Sequence, residues 1–182
     1  MSDAPAANAR LDRLTLDLER HVASAGWDQP ARLFALVETA DLLRREPQLA
    51  SELGLDGGSP GDLTPVDQGD LPEHASLDEL LAGIVWPVEV LGTALTVERL
   101  MVPPAAERDM PQDESEALDW LGQHPERQEV RLVVAVLRDG SRSAALRMRA
   151  HDEETSVLTG RDLVPGLADA LAETLSDHES PG

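Results

Sequence analysis

The sequence predicts an α+β protein with a small antiparallel or mixed sheet of three to four strands packed with several helices. Two observations carry this prediction. Residues 130–149 contain two β-rich segments joined by Asp139-Gly140, a preferred hairpin turn. Elsewhere, apolar residues recur at helical spacing between capping and turn residues. A chain of 182 residues is expected to form one domain, here residues 8–178, with disordered tails at 1–7 and 179–182.

The N-terminal part is predicted to be helical. Three helices are expected there, at residues 9–25, 28–43 and 47–54. Leucines and valines at three- and four-residue steps mark one face of the first helix, and Gly26 is a plausible stop. Asp28 is expected to cap the second helix, which begins after it and has Pro30 in its first turn. The broad apolar face of this helix predicts burial. The glycine-rich residues 54–61 predict a flexible loop.

The remaining two thirds alternate between strands and helices. The expected elements are a weak strand at 63–68, a helix at 77–85, a strand at 93–102, a helix at 113–121, the hairpin at 130–149 and a helix at 163–175. Ser76 and Glu79 form a capping box for the first of these helices. Asp113 is the expected cap of the second. Asp162 is expected to start the last helix.

The hairpin predicts which side chains share a face of the sheet. A two-residue turn at Asp139-Gly140 places Leu132 opposite Arg147. One face is then apolar on both strands and is expected to point into the core; it comprises Val133, Ala135, Leu137, Ala144, Leu146 and Met148. The first strand is apolar on both faces, which predicts a central strand. The second strand is expected to form a sheet edge or to line a groove.

Arg147 and Arg149 are the basic residues of most interest on that second strand. They can protect a sheet edge by their charge, or they can form an anion or carboxylate site, together with Arg99. Arg131 is expected on the opposite face in this register. Trp27 and Trp86 are expected to fix helix ends to the core or, alternatively, to line a groove.

The composition excludes several classes of function. The chain has 35 acidic and 15 basic residues, all of the latter arginine, and a formal net charge of −20. Such a charge disfavours binding to nucleic acids and to anionic membranes. There is no cysteine, which excludes disulfides and thiolate chemistry. No signal sequence or membrane-spanning run is recognised, so a cytoplasmic location is expected.

No motif for catalysis, cofactors or metals stands out. The phosphate-binding loop and the dinucleotide-binding glycine pattern are absent, and no lysine exists to complete the former. The five histidines do not have the spacing of metal ligands. No catalytic residue, cofactor or metal site is therefore assigned, and a non-enzymatic role is favoured.

Several segments together resemble a known family. They are Gly26–Val37, Trp86–Arg99, His124–Arg127, Leu137–Gly140 and Leu163–Leu167. They resemble a family of uncharacterised proteins from actinobacteria, which are high-GC Gram-positive bacteria, and the resemblance extends over residues 8–176. It implies a bacterial cytoplasmic protein. Because the family has no established activity, the resemblance implies no catalytic residues.

Two functional hypotheses follow from the sequence. The first is a non-catalytic accessory or protein-interaction domain, which binds a protein partner or self-associates through an edge strand. The second is a binder, or an enzyme without a recognisable signature, that takes a small anionic metabolite at Arg147 and Arg149. A groove at these arginines would favour the second hypothesis.

Overall fold

The computed structural model describes residues 4–55, 62–72, 77–161 and 163–176. Most of the predicted loop at 54–61 and the predicted tail at 179–182 lie outside these ranges. So do Ser76 and Asp162, the predicted caps of two helices. The first helix begins at Ala4, so residues 4–7, predicted to be part of a disordered tail, are helical.

The centre of the fold is a six-stranded antiparallel sheet with the order β2-β1-β3-β4-β5-β6. The strands are β1 Arg32–Glu38, β2 Leu63–Asp70, β3 Val90–Met101, β4 Gln128–Leu137, β5 Arg142–Met148 and β6 Leu158–Gly160. The α+β class is confirmed. The predicted count of three to four strands is too low, because β1 was predicted to be helical and the short β6 was not recognised.

Helices cover both faces of the sheet. The described helices are α1 Ala4–Ala23, α2 Thr39–Arg45, α3 Pro47–Glu52, α4 Leu77–Ala82, α5 Pro104–Glu107, α6 Glu114–Gln123 and α7 Pro165–Thr174. On one face, Leu11 and Leu18 of α1 pack against Val133 and Ala135 of β4. On the other, α4 and α7 pack against β1, β3, β4 and β5. None of the described helices is both long and apolar enough to cross a membrane.

The prediction of a helix over residues 28–43 is wrong for the part that precedes residue 39. Residues Arg32–Glu38 form β1, and the helix α2 begins only at Thr39. Leu33 and Phe34 are both buried, on opposite faces of the sheet, because β1 lies between β2 and β3. A short continuous apolar run suits a strand buried on both faces as well as a buried helix, so its spacing does not discriminate between them.

The predicted register of the β4–β5 hairpin is wrong by one residue. Arg131 pairs with Arg147, and Leu132 pairs with Leu146. The turn has three residues instead of two: the N–H of Gly140 donates to the carbonyl of Leu137 at 3.0 Å, and Gly140 has a φ of 92°. This is a type I turn followed by a glycine in the left-handed region. A shift of one residue moves every side chain of one strand to the other face.

The second hairpin strand is not a sheet edge. β6 pairs with Ala144–Leu146 of β5, so the prediction of an edge at β5 is wrong. Within the described residues, the edges are β2 and β6. β2 contains Pro65 and the acidic Asp67 and Asp70, which are typical of edge strands protected against pairing with another chain. The prediction that β4 is central and buried is confirmed.

Local capping signals predicted several other boundaries well. The side chain of Asp113 accepts a hydrogen bond from the backbone N–H of Glu116 at 3.1 Å, as expected for the cap of α6. Pro47 lies in the first turn of α3, and Gly54 follows this helix with a φ of 74°. These signals depend on residues a few positions apart, and they locate helix ends independently of the tertiary fold.

Candidate functional site

The corrected register brings three charged residues into one row across the sheet. Arg131 of β4 lies between Glu98 of β3 and Arg147 of β5. All three are on the face that α1 covers. Arg131 and Arg147 are both almost completely buried. Two buried guanidinium groups on neighbouring strands require nearby negative charge.

Glu19 of α1 supplies that charge to Arg147. The guanidinium of Arg147 donates to both carboxylate oxygens of Glu19, with Nε–Oε1 at 2.5 Å and Nη2–Oε2 at 2.9 Å. Its Nη1 donates to Asp152 at 3.1 Å. The hydrogen bonds to Glu19 raise the pKa of Arg147 above its usual value. The charge of Arg147 is therefore fully engaged inside the protein.

Arg131 is held beneath the loop that follows α1. Its guanidinium lies 4.4 Å from the ring centre of Trp27, which is within the range of a cation–π contact. Nη2 donates to the carbonyl of Gly26 and lies 3.7 Å from a carboxylate oxygen of Glu98. Nε and Nη1 of Arg131 are buried and have no hydrogen-bond partner. Burial lowers the pKa of Arg131.

The carboxylate of Glu98 also fixes this loop. It accepts the backbone N–H groups of Asp28 at 2.8 Å and Gln29 at 2.9 Å. Asp28 has a φ of 66°, a conformation that non-glycine residues rarely adopt without compensating contacts. Glu98, Arg131 and Trp27 thus attach the loop after α1 to the sheet.

The pKa of Asp152 reflects the same surroundings. Burial works to raise this pKa, but the Trp27 indole and the Arg147 guanidinium outweigh burial, so the pKa lies below its usual value. The buried Nε1 of Trp27 nevertheless makes no hydrogen bond of normal geometry. The Trp27 ring acts mainly as a cover over Arg131.

Arg149 closes the same region from the solvent side. It donates to both carboxylate oxygens of Asp28, at 2.9 and 3.0 Å, and to Glu129 at 2.6 Å. Its guanidinium lies 5.7 Å from the centre of the Trp27 ring. We call Arg131, Arg147 and Arg149 the arginine cluster. Its geometry ties α1 and the following loop to the sheet.

The Arg149–Asp28 pair gives a testable pH dependence. Hydrogen bonds from Arg149 hold the pKa of Asp28 below its usual value. The pair therefore contributes stability above the unfolded carboxyl pKa of about 3.9, and this contribution is lost as the pH falls through the lower folded value. In an NMR titration, Arg149→Gln should raise the pKa of Asp28 towards 3.9, while Arg99→Gln should leave it unchanged. Identical Asp28 titrations in the wild type and Arg149→Gln would contradict the pairing.

The structure separates the other predicted site residues from this cluster. Arg99 is exposed on β3 and pairs with Val130, so its side chain belongs to the opposite face from Arg147. Trp86 packs with the α4–α7 core, and its Nε1 donates to Thr174 at 3.0 Å. Only Trp27 joins the arginine cluster. The assignment of an anion site to Arg147, Arg149 and Arg99 stays a prediction, and it has no support from this geometry.

A groove lies beside α1 on the α1 face of the sheet. It is formed by α1, β2 and the segment that follows α3, and it has a volume of about 710 Å³. We call it the α1–β2 groove. Its apolar lining comprises Leu14, Leu18, Phe34, Leu53, Leu55, Leu63 and Pro65. The helix α1 packs mainly over β3, β4 and β5. The groove lies beside it towards β2, where Leu63 and Pro65 are only partly buried.

The α1–β2 groove also has polar and charged lining residues, among them Asp17, Asp62 and Asp67. Thr39 and Thr64 are buried, and their hydroxyl groups are hydrogen-bonded to each other at 2.8 Å. Arg10, Arg13 and His21 project from α1. The sequence does indicate that these residues share one face of α1, because they recur with Leu14 and Leu18 at three- and four-residue steps. Nothing in the sequence indicated that the neighbouring strand β2 is only partly covered.

Among the residues that the structure describes, no group of three histidine or acidic side chains is arranged to hold a metal ion. In the sequence, His151 lies next to the acidic Asp152 and Glu153. Asp152 instead pairs with Arg147. The fold and the groove together define an α+β protein with an antiparallel sheet between helices and an open cleft beside its first helix.

The chain belongs to the PPA1309-like protein family, whose sequence model matches residues 11–176. The family takes its name from a gene of Propionibacterium acnes, an actinobacterium. This confirms the resemblance to an uncharacterised actinobacterial family. No curated protein and no solved structure matches the chain.

Proposed function

We propose that this protein is a non-catalytic binding module and that its α1–β2 groove holds a small ligand with an apolar body. The observation that carries the proposal is the groove itself, with its volume of about 710 Å³ and a lining rich in leucine. Small-molecule sites commonly have volumes of about 300–1,000 Å³ and mostly apolar walls with a few polar groups.

The walls of the groove are preformed. Phe34 is part of the sheet and is almost completely buried, and Leu18 belongs to the same core. The Thr39–Thr64 hydrogen bond joins the start of α2 to β2. A rigid apolar wall favours binding, because less side-chain freedom is lost when the ligand enters.

The buried charges of the protein support binding over catalysis. Catalytic groups with perturbed pKa values usually face the cleft in which the substrate lies. Here Arg131 and Arg147, whose pKa values are shifted, interact with carboxylates of the fold, and neither arginine lines the α1–β2 groove. The charged groups with the most unusual surroundings therefore serve to hold α1 and its loop in place.

A neutral fluorescent probe, N-phenyl-1-naphthylamine, tests the proposal. We expect saturable one-to-one binding with enhanced fluorescence. Leu53 is 44% exposed, so Leu53→Gln should leave the fold intact and make one wall polar. Because part of one leucine contact is lost, the affinity for the probe should fall about threefold to tenfold.

Leu118→Gln is the matched control. Leu118 is 62% exposed on α6 and does not line the groove, so the probe should bind this variant like the wild type. Equal weakening in both variants would place the probe elsewhere. Absence of saturable binding to the wild type would refute the proposal.

A second candidate function is the protein-interaction role expected from the sequence. Val85 and Val88, which flank the partly buried Trp86, are 69% and 76% exposed, and Leu91 is 38% exposed. Exposed apolar residues close together often contribute to protein interfaces. Self-association at this surface predicts a concentration-dependent mass in analytical ultracentrifugation that Val88→Gln abolishes. A constant monomer mass would remove self-association from consideration.

A further inference from the structure

Two arginines on the wall of the α1–β2 groove form no ion pair with the residues that the structure describes. Arg10 and Arg13 line the groove and, among the described residues, their guanidinium groups make no ion pair or hydrogen bond. This is unusual in a chain with 35 acidic residues against 15 arginines. Arg147 and Arg149, by contrast, each donate hydrogen bonds to two carboxylates.

The acidic side chains on the same groove do not neutralise these two arginines. Asp17 lies 4.0 Å from Arg20, and Asp67 lies 3.6 Å from Arg32. Asp62 is likewise engaged in an interaction of its own. The positive charge of Arg10 and Arg13 therefore remains available to a ligand in the groove.

The α1 wall of the groove has both charged and apolar residues. Arg10 and Arg13 lie towards the N-terminal end, Leu14 and Leu18 follow at the spacing of one helix face, and Asp17 and His21 also line this wall. A ligand lying along this wall can place an anionic group at the two arginines and apolar atoms against the two leucines. This polarity suits a molecule with a charged head and an apolar tail.

We propose that the ligand of the α1–β2 groove is an amphiphilic carboxylate, whose head is bound by Arg10 and Arg13 and whose alkyl or aryl body lies against Leu14, Leu18 and Phe34. Guanidinium groups suit carboxylates because their N–H donors match both oxygens. This inference rests on the proposed function and names the class of ligand.

The net charge of the protein favours a single negative charge on the ligand. At a formal charge of −20, long-range repulsion opposes every anion and opposes a doubly charged phosphate head more strongly than a carboxylate. Two arginines offset that repulsion locally for one carboxylate group. A carboxylate is thus preferred to a phosphate monoester with the same tail.

Displacement of N-phenyl-1-naphthylamine by four decyl compounds tests the inference. Decanoate, decyl phosphate, 1-decanol and decylamine share a tail and differ in the head group. We expect decanoate to displace the probe at the lowest concentration.

The affinity for decanoate should fall about tenfold or more in the variant Arg10→Gln/Arg13→Gln, because two charge-assisted hydrogen bonds are lost. Displacement of the probe by decanol should stay the same. The control is Arg99→Gln/Arg108→Gln, which changes the net charge by the same amount at two exposed arginines that do not line the groove. This control should bind decanoate like the wild type. Thermal melts should confirm that both variants are folded.

The outcomes separate this inference from the proposed function. If the probe binds but decanol and decanoate displace it equally, and the Arg10/Arg13 variant has no effect, the anionic ligand is refuted while the groove function stands. Stronger displacement by decyl phosphate or decylamine would refute the carboxylate class. If the probe does not bind the wild type at all, the proposed function itself fails.

Discussion

Glu19→Leu is expected to destabilise the protein by about 3–5 kcal/mol, because it leaves Arg147 buried without its main counter-charge. The side chains of Glu19 and Arg147 are 1% and 5% exposed, so water cannot replace the lost partner. Asp152, the other carboxylate that contacts Arg147, has a side chain that is 48% exposed, so it does not compensate fully. Urea unfolding followed by circular dichroism measures the change.

The double variant Glu19→Leu/Arg147→Met separates the ion pair from packing. Replacing both partners by apolar residues of similar size is often nearly neutral in buried ion pairs. We therefore expect the double variant to recover most of the stability lost in Glu19→Leu. Asp17→Asn is the control on the same helix, because Asp17 and Arg20 form an exposed pair of a kind worth about 0–1 kcal/mol. A small effect of Glu19→Leu would contradict the role of the pair in holding α1.

Gly92→Ala is expected to destabilise the protein by about 1–3 kcal/mol or more through overpacking. Gly92 of β3 pairs with Leu137 of β4. A Cβ atom at residue 92 would overlap the backbone oxygen of Val136 and would lie 2.5 Å from Cδ2 of Leu137. Leu137 can rotate, but the carbonyl of Val136 belongs to the central strand and has no room to move.

Gly122→Ala is the matched control for this prediction. Gly122 lies in the last turn of α6, and nothing lies within 4 Å of a Cβ placed there. In a helix, alanine is favoured over glycine by about 0.5–1 kcal/mol. Urea midpoints should therefore shift down for Gly92→Ala and up or not at all for Gly122→Ala. Equal stability of the two variants would show that β3 and β4 lie farther apart near residue 92.

The arginine cluster shows how one residue of register changes an interpretation. The two-residue turn predicted for Asp139-Gly140 placed Arg131 and Arg147 on opposite faces. In the structure the turn includes Arg138, and the two arginines face the same side beneath α1. The hypothesis of an exposed anion site at Arg147 depended on that register. The anionic ligand now proposed involves a different pair of arginines on a different element.

Much of the fold was readable from the sequence, because its signals are local. The Asp-Gly turn required a hairpin near residue 139, Asp113 capped α6, and Pro47 and Gly54 bounded α3. The alternating and continuous apolar runs around residues 93–102 and 130–137 indicated β3 and the central β4. Each of these signals rests on the steric and hydrogen-bonding preferences of residues near one another in the chain.

The tertiary structure alone decided the rest, because the deciding partners are distant in sequence. Leu33–Val37 became a strand since β2 and β3 offer it hydrogen bonds on both sides. Glu19 and Arg147 are 128 positions apart, and no local pattern connects them. The α1–β2 groove lies beside α1, which packs mainly over β3, β4 and β5 of the six-stranded sheet. By itself, the sequence determined an acidic α+β chain of one actinobacterial family; the packing of α1 determined where its charges are buried and where a ligand can bind.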